Sequence, residues 1–183
     1  MIHPKEKITF ELVSGIKSVL ANSPIGKNVF VDPDEQIPKE DYPCLVIDTD
    51  NEELIQKVDR GRSLYKRRWP VNFEIRFVRD FASHDEKVED SLNRLKKKVY
   101  DIELVIERFM SFPKRVSSLV VNCDLARSMS ALFSEGELTY RANLSTYELE
   151  YQTSAVSLGA YDVVEKKLGK IGVSIDDKNQ SPR

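Results

Sequence analysis

The chain changes its hydrophobic rhythm several times, and each rhythm predicts an element. From Pro4, which suits a helix start, Ile8, Leu12, Ile16, Val19 and Leu20 recur at helical spacing until Asn22-Ser23-Pro24-Ile25-Gly26 ends the run. Val29-Phe30-Val31 then reads as a short strand, followed by a Pro-flanked acidic loop over residues 32 to 38. Pro43-Cys44-Leu45-Val46-Ile47 is an uninterrupted apolar run, the pattern of a strand buried on both faces. Residues 53 to 58 and 63 to 69 flank Asp59-Arg60-Gly61-Arg62, where Gly61 supplies the backbone freedom of a tight turn, so an extended β-hairpin is expected. Pro70 has no N–H to donate, which puts that part of the second arm at an edge or a bulge. Beyond it Val71, Phe73, Ile75 and Phe77 alternate with Asn72, Glu74 and Arg76, so one face belongs to the core.

A longer period follows. Ser83 and Glu86 form a capping box, and Val88, Leu92, Leu95, Val99, Ile102, Ile106 and Phe109 step by four and three along one helix face. The stripe covers only about three heptads and is widened by Leu104 and Val105, so it predicts a long amphipathic helix across a sheet rather than a coiled-coil seam. Ser118-Leu119-Val120-Val121 looks like a strand, and Asp124 looks like the N-cap of a short helix through Leu125, Met129, Leu132 and Phe133 that Gly136 ends. The last strand runs through Leu138, Tyr140, Ala142 and Leu144 and then Tyr147, Leu149 and Tyr151; the facing parity flips near Ser145-Thr146, which predicts a bulge or bend. Beyond Ser154 come a helix signal from Tyr161 to Leu168, the short run Ile171-Gly-Val-Ser-Ile175 and a polar end from Asp176 to Arg183. The elements together predict an α+β fold: a mainly antiparallel twisted sheet, an N-terminal helix and a long amphipathic helix packed on it, and an extended β-hairpin. One α+β domain is expected over residues 1–153, with a partly flexible C-terminal extension over 154–183.

Composition narrows the chemistry. A chain of 183 residues with 40% hydrophobic and 32% charged residues is sized for one well-buried core. A formal net charge of -2 leaves no global positive excess to hold nucleic acid or an anionic membrane. No continuous apolar stretch reaches signal-peptide or membrane-spanning length, and Cys44 and Cys123 stand far apart without a metal-binding or redox spacing, so a reduced cytoplasmic setting is expected. His3 and His84 are the only histidines, too few and too peripheral to suggest a nucleophile–base pair. Asp48, Asp50 and Glu52 begin like a calcium loop, but Glu53 stands where the tight turn needs Gly and Asp59 where the last ligand should be Glu. Ser23-Pro24-Ile25-Gly26-Lys27 resembles the end of a phosphate loop, yet Ala21 and Asn28 occupy its required Gly and Ser/Thr places. The residues expose no catalytic constellation, and no cofactor is expected.

The one dense cationic stretch is Arg60, Arg62, Lys66, Arg67 and Arg68, interleaved with Tyr65 and Trp69. Such a mixture can grip phosphates and stack bases, can guard an exposed sheet edge, or can anchor a protein contact. Arg60, Arg62, Tyr65, Arg67, Arg68 and Trp69 are therefore the candidate assembly or partner residues. Two other readings use different chemistry: a nucleic-acid-binding module built on residues 60–69, and a metal-dependent enzyme built on Asp48, Asp50 and Glu52.

The order of elements resembles that of the tail terminator, or tail-completion, proteins of long-tailed bacteriophages. The resemblance is carried by the helix from Ile8 to Leu20, Tyr42-Pro43-Cys44-Leu45-Val46-Ile47, Arg68-Trp69-Pro70-Val71-Asn72-Phe73-Glu74-Ile75, the helix through Phe109, and Glu135-Gly136-Glu137 followed by Ser145-Thr146-Tyr147-Glu148-Leu149-Glu150-Tyr151. It spans the chain up to about Thr153, and the segment beyond Ser154 departs from the compact form of the family. What the resemblance implies is a non-enzymatic virion subunit that forms a hexameric ring on the tail tube, ends its polymerisation and offers a surface to the head connector or neck protein. Implied with it are a place at the neck end of the tail, assembly in the host cytoplasm, a contact of the extension with sheath or collar protein, passive contact with DNA in the lumen, and no membrane.

Overall fold

A computed structural model of the chain describes residues 3–49, 53–59, 64–78, 88–135 and 138–154. Its first helix, α1 (Pro4–Leu20), opens with the His3 side chain accepting a hydrogen bond from the Lys5 N–H and buries Ile8, Leu12, Ile16 and Leu20 on one face. Val19, which the periodicity puts on that face, is 43% exposed. β1 (Val29–Val31) runs parallel to β2 (Cys44–Thr49). Asp32 ends β1 at a positive φ of 41°, and its carboxylate accepts hydrogen bonds from the Thr49 N–H at 2.7 Å and the Thr49 hydroxyl at 2.8 Å. A short polar side chain bonded in this way tolerates the left-handed backbone that most residues avoid.

β3 (Glu53–Asp59) and β4 (Leu64–Val78) are the two antiparallel arms of the expected hairpin; its turn at Gly61 lies outside the described residues. α2 (Val88–Met110) follows, then the single turn α3 (Pro113–Val116), β5 (Val120–Glu135) and β6 (Leu138–Ser154). The Ser83–Glu86 capping box also falls outside the described residues. The architecture is α+β, a mixed six-stranded sheet in the order β1-β2-β4-β6-β5, with β3 on β4.

β4 is interior, not an edge, and Pro70 is accommodated by an offset. On one flank β4 pairs with β6 without a break from Leu64↔Ser154 to Val78↔Tyr140. On the other, β2 pairs as far as Thr49↔Val71 and β3 resumes at Glu53↔Arg68, so the register shifts by one residue opposite Trp69 and Pro70. The missing N–H of Pro70 therefore falls where neither β2 nor β3 pairs with it.

Each sheet face has its own content. Leu45, Ile47, Trp69, Val71, Phe73, Ile75, Tyr147, Leu149 and Tyr151 join Val99, Ile102 and Ile106 of α2 and the inward face of α1 in one core. Phe73 meets Tyr147 edge-on, with ring centroids 5.5 Å apart. Cys44 and Val46 point the other way, into a small cluster with Ile37, Phe30 and Tyr42, so β2 is buried on both faces.

The parity flip expected near Ser145-Thr146 does not occur. The unbroken pairing with β4 keeps Asn143 and Ser145 on the helix side with Tyr147, and the irregularity sits in β5, between Leu125↔Tyr147 and Arg127↔Thr146. The polar pair is tolerated because Glu103 of α2 accepts hydrogen bonds from Asn143 Nδ2 at 3.3 Å, Ser145 Oγ at 3.1 Å and Ser128 Oγ at 2.9 Å. Nor is there a helix over 125–133. β5 is a strand there, and its Leu125, Met129, Leu132 and Phe133 are exposed, at 47, 38, 54 and 43%. Their helix-like spacing straddles both faces of the strand; the hydrogen-bonding edge offered by β6 outweighs local propensity.

Phe73→Ala should lower the unfolding free energy by about 3–5 kcal/mol, whereas Met129→Ala should change it by no more than about 0.5 kcal/mol. Equal costs in chemical denaturation would refute the assignment of faces. Glu103→Ala should cost about 2 kcal/mol, because it strands buried amide and hydroxyl groups that now donate to a charged acceptor. Restoration by Ala at both Asn143 and Ser145 would identify those bonds as the cause.

Candidate assembly surface

The cationic stretch is carried by β4, whose pairing with β6 decides what each side chain meets. Lys66 and Arg68 lie on the sheet face away from the helices, opposite Gln152 and Glu150. Lys66 Nζ stands 2.6 Å from Glu150, while Arg68 Nε stands 3.2 Å from Glu148 and its Nη2 3.6 Å from Glu150. Two cations and two carboxylates thus form a neutral ladder. Arg67, of the opposite parity, donates from Nε to Thr153 Oγ1 at 3.2 Å. Tyr65 is half-buried beside it. Trp69 lies wholly inside the core, with Lys5 Nζ 4.8 Å from its ring centroid. Arg60 and Arg62 lie outside the described residues. Of the six residues that the sequence groups, the fold divides the described ones: Arg68 lies on an open charged face and Trp69 among core side chains.

Asp48, at the end of β2, is exposed; Asp50 and Glu52 lie outside the described residues. Among the described residues no group of three His, Cys, Asp or Glu side chains is placed to hold a metal ion. No described helix is long and apolar enough to cross a membrane.

A second surface, which the sequence reading did not single out, lies on the helical layer. Gly15 and Val19 of α1, Val105 and Phe109 of α2, and Phe112 line an open groove. Gly15 is what lets the helices close on its floor: a Cβ there would stand 2.4 Å from the Phe109 ring. Phe112 is 51% exposed, and the Arg115 guanidinium lies 4.4 Å from its ring centroid. Arg108 also borders the groove, so its rim is cationic and its floor apolar. The sequence signal was Val19, an apolar residue on a helix face that does not reach the core.

Burial sets the state of the thiols. Desolvation pushes Cys44 from 9.0 up to about 12, with Arg76 opposing and Glu74 and Asp41 adding to the rise. Desolvation also pushes Cys123 from 9.0 up to about 12, helped by Asp124. Both remain protonated near neutral pH and are poor nucleophiles. Burial works against the charge of Arg76, but its hydrogen bond and charge attraction to Glu74, 2.7 Å away, hold its pKa above the ordinary value.

No family model and no curated protein matches the chain. Among solved structures it is similar to a chain of the virion of a native gene transfer agent (GTA) particle, with 11% identity and a TM-score of 0.39 over 78% of this chain and 97% of that one.

The raised thiol pKa values fix the sign of a pH effect. An unfolded chain loses these protons near pH 9.0 while the folded chain keeps them to about 12, so their contribution is intact below pH 9.0 and declines as pH rises through that window. Denaturation midpoints should fall with pH across it, and the fall should be shallower in a Cys44→Ala, Cys123→Ala double variant. Parallel slopes for the two proteins would contradict the assignment.

Proposed function

We propose that this chain is a structural subunit of a phage-like virion, a tail terminator that closes into a hexameric ring on the tail tube, stops its growth and presents a surface to the head connector. The observation that carries the reading is the groove on the helical layer, where Val19 and Phe112 stand 43% and 51% exposed beside Arg108 and Arg115. Open apolar surface rimmed by arginine is the composition of a protein contact. The order of elements supports the same reading, with β5 as an addition to the order that the resemblance rests on.

Function in this reading is geometric. A heterologous contact repeated around an axis closes a ring; one ring face then mates with the tube and the other does not propagate it. The partners are further copies of the chain, the tube protein and a connector or neck protein, with sheath or collar protein as a further candidate at the neck of the virion. The nucleic-acid alternative ranks lower because Lys66 and Arg68 already face Glu148 and Glu150. DNA in the lumen would make only passive contact with residues 60–68.

Purified chain mixed with tube protein should give rings or tube caps in electron micrographs. Val19→Asp with Phe112→Asp should abolish capping while shifting stability by about 1 kcal/mol or less, since both side chains are exposed. Replacing Arg60, Arg62, Arg67 and Arg68 by Ser separates the two surfaces: lost capping assigns the arm to ring closure, and normal capping with lost infectivity assigns it to connector or DNA. A chain that never caps tubes at any concentration overturns the proposal.

A further inference from the structure

α2 has apolar side chains on two sides. Val99, Ile102, Ile106, Phe109 and Met110 are buried in the core. Leu104 stands on the opposite side of the helix, about 160° round from both Ile102 and Ile106. It is 46% exposed, and Tyr100, one turn earlier on the same outer face, is 56% exposed. Arg108, one turn later, continues the i, i+4 ridge and also borders the groove. A single exposed leucine is ordinary. An exposed ridge of leucine and tyrosine that runs into an apolar groove marks a contact site.

The charges around Leu104 suit a second copy of the same helix. Arg108 and Asp101 lie on one side of Leu104, about 40° and 60° round the helix, and Tyr100 and Glu107 lie on the other side at about 40° and 60°. All four are exposed, and among the described residues Asp101, Glu107 and Arg108 make no ion pair within the chain. Along the axis Arg108 is about 6 Å after Leu104 and Asp101 about 4.5 Å before it. When two such helices meet face to face and antiparallel about Leu104, the two-fold axis keeps each side and reverses direction. Arg108 then comes opposite Asp101 of the second copy, offset by about 1.5 Å along the axis, and Tyr100 comes opposite Glu107 of the second copy with the same offset. Lys97, the remaining cation of this face, falls level with Ser111 of the second copy. A parallel pair would set Lys97 against Lys97 at one level and align the two helix dipoles, so the antiparallel arrangement is favoured.

We propose that two copies of the chain pair through the outer faces of α2, antiparallel about Leu104, with Arg108 of each copy on Asp101 of the other. The contact is isologous and closes with two copies, so it does not rest on the ring. One helix against one helix is a small interface, and pairing is weak and concentration-dependent. Because Arg108 also borders the groove, a paired chain cannot offer that residue to another partner at the same time.

Sedimentation of the full-length chain without tube protein tests it. The mass should rise from one copy towards two with concentration. Leu104→Asp and Arg108→Asp should each weaken pairing at least about tenfold, since one buries a charge and the other sets two carboxylates together. Adding Asp101→Arg to Arg108→Asp should restore most of the pairing, a rescue that misfolding cannot mimic. A mass of one copy up to the solubility limit overturns the proposal. So does pairing that Leu104→Asp leaves intact, or rescue of Arg108→Asp by Glu107→Arg rather than by Asp101→Arg. Closed rings in place of dimers also overturn it, and leave the ring reading standing.

Discussion

The pairing of β4 with β6 is the constraint on which the rest depends. Fifteen consecutive register pairs fix which β4 side chains face the helices and which face away. Because side chains alternate with a period of two, one slip would exchange Trp69, Val71, Phe73 and Ile75 for Arg68, Pro70, Asn72 and Glu74. That exchange would bury charge and expose most of the core's large side chains, so the register is set by the hydrophobic term. Everything on the other flank is arranged around it: β2 supplies the lower half, β3 the upper half, and the one-residue offset between them sits where Pro70 can donate nothing anyway.

The same rigidity explains the polar seam beneath α2. With β6 locked to β4, Asn143 and Ser145 have no means of turning outward, and burying them without partners would cost several kcal/mol in an apolar setting. Glu103 meets the donors from the helix, accepting from Asn143 Nδ2, Ser145 Oγ and Ser128 of β5, while Asn143 Oδ1 stays buried without a hydrogen-bond partner. One carboxylate thereby joins the helix to two neighbouring strands and fixes where along the sheet α2 sits. Apolar contact is indifferent to a sliding helix; a hydrogen-bonded carboxylate is not.

What the sequence revealed tracks where local pattern and tertiary environment agree. The buried α1 positions Ile8, Leu12, Ile16 and Leu20, the doubly buried β2 and the Val71-to-Phe77 alternation were legible because each side chain's polarity matches its surroundings. Two readings failed where they do not match. Asn143 and Ser145 look outward-facing by composition, and only the distant Glu103 makes them acceptable inside. Leu125, Met129, Leu132 and Phe133 have helical spacing, but β6 supplies an edge whose backbone bonds decide the outcome. The candidate surface was half legible. The cations were visible as a run, but their alternation across a strand, and the glutamates of β6 that meet Lys66 and Arg68, required the register; Trp69, aromatic and flanked by charge, gave no sign of being a core residue. The groove needs three segments to form, and its one local signal was Val19.

The two exposed surfaces differ in what they can contribute. The ladder of Lys66, Arg68, Glu148 and Glu150 is partly solvated, and exposed ion pairs of this kind are worth about 0–1 kcal/mol each, so it does little to hold the fold. Its effect is on encounters: near-neutral as a set, it gives neither polyanions nor acidic surfaces a strong long-range attraction, and salt weakens what remains. The groove behaves oppositely. Its apolar floor attracts by water release, which salt does not screen, and the arginines on its rim favour a partner that combines apolar and acidic groups. An assembly driven by the groove should tolerate the ionic strength of a cell, with the ladder limiting unwanted partners. Part of that division follows from the register, since β4 sends Trp69, Val71, Phe73 and Ile75 under the helices and Lys66 and Arg68 to the open face.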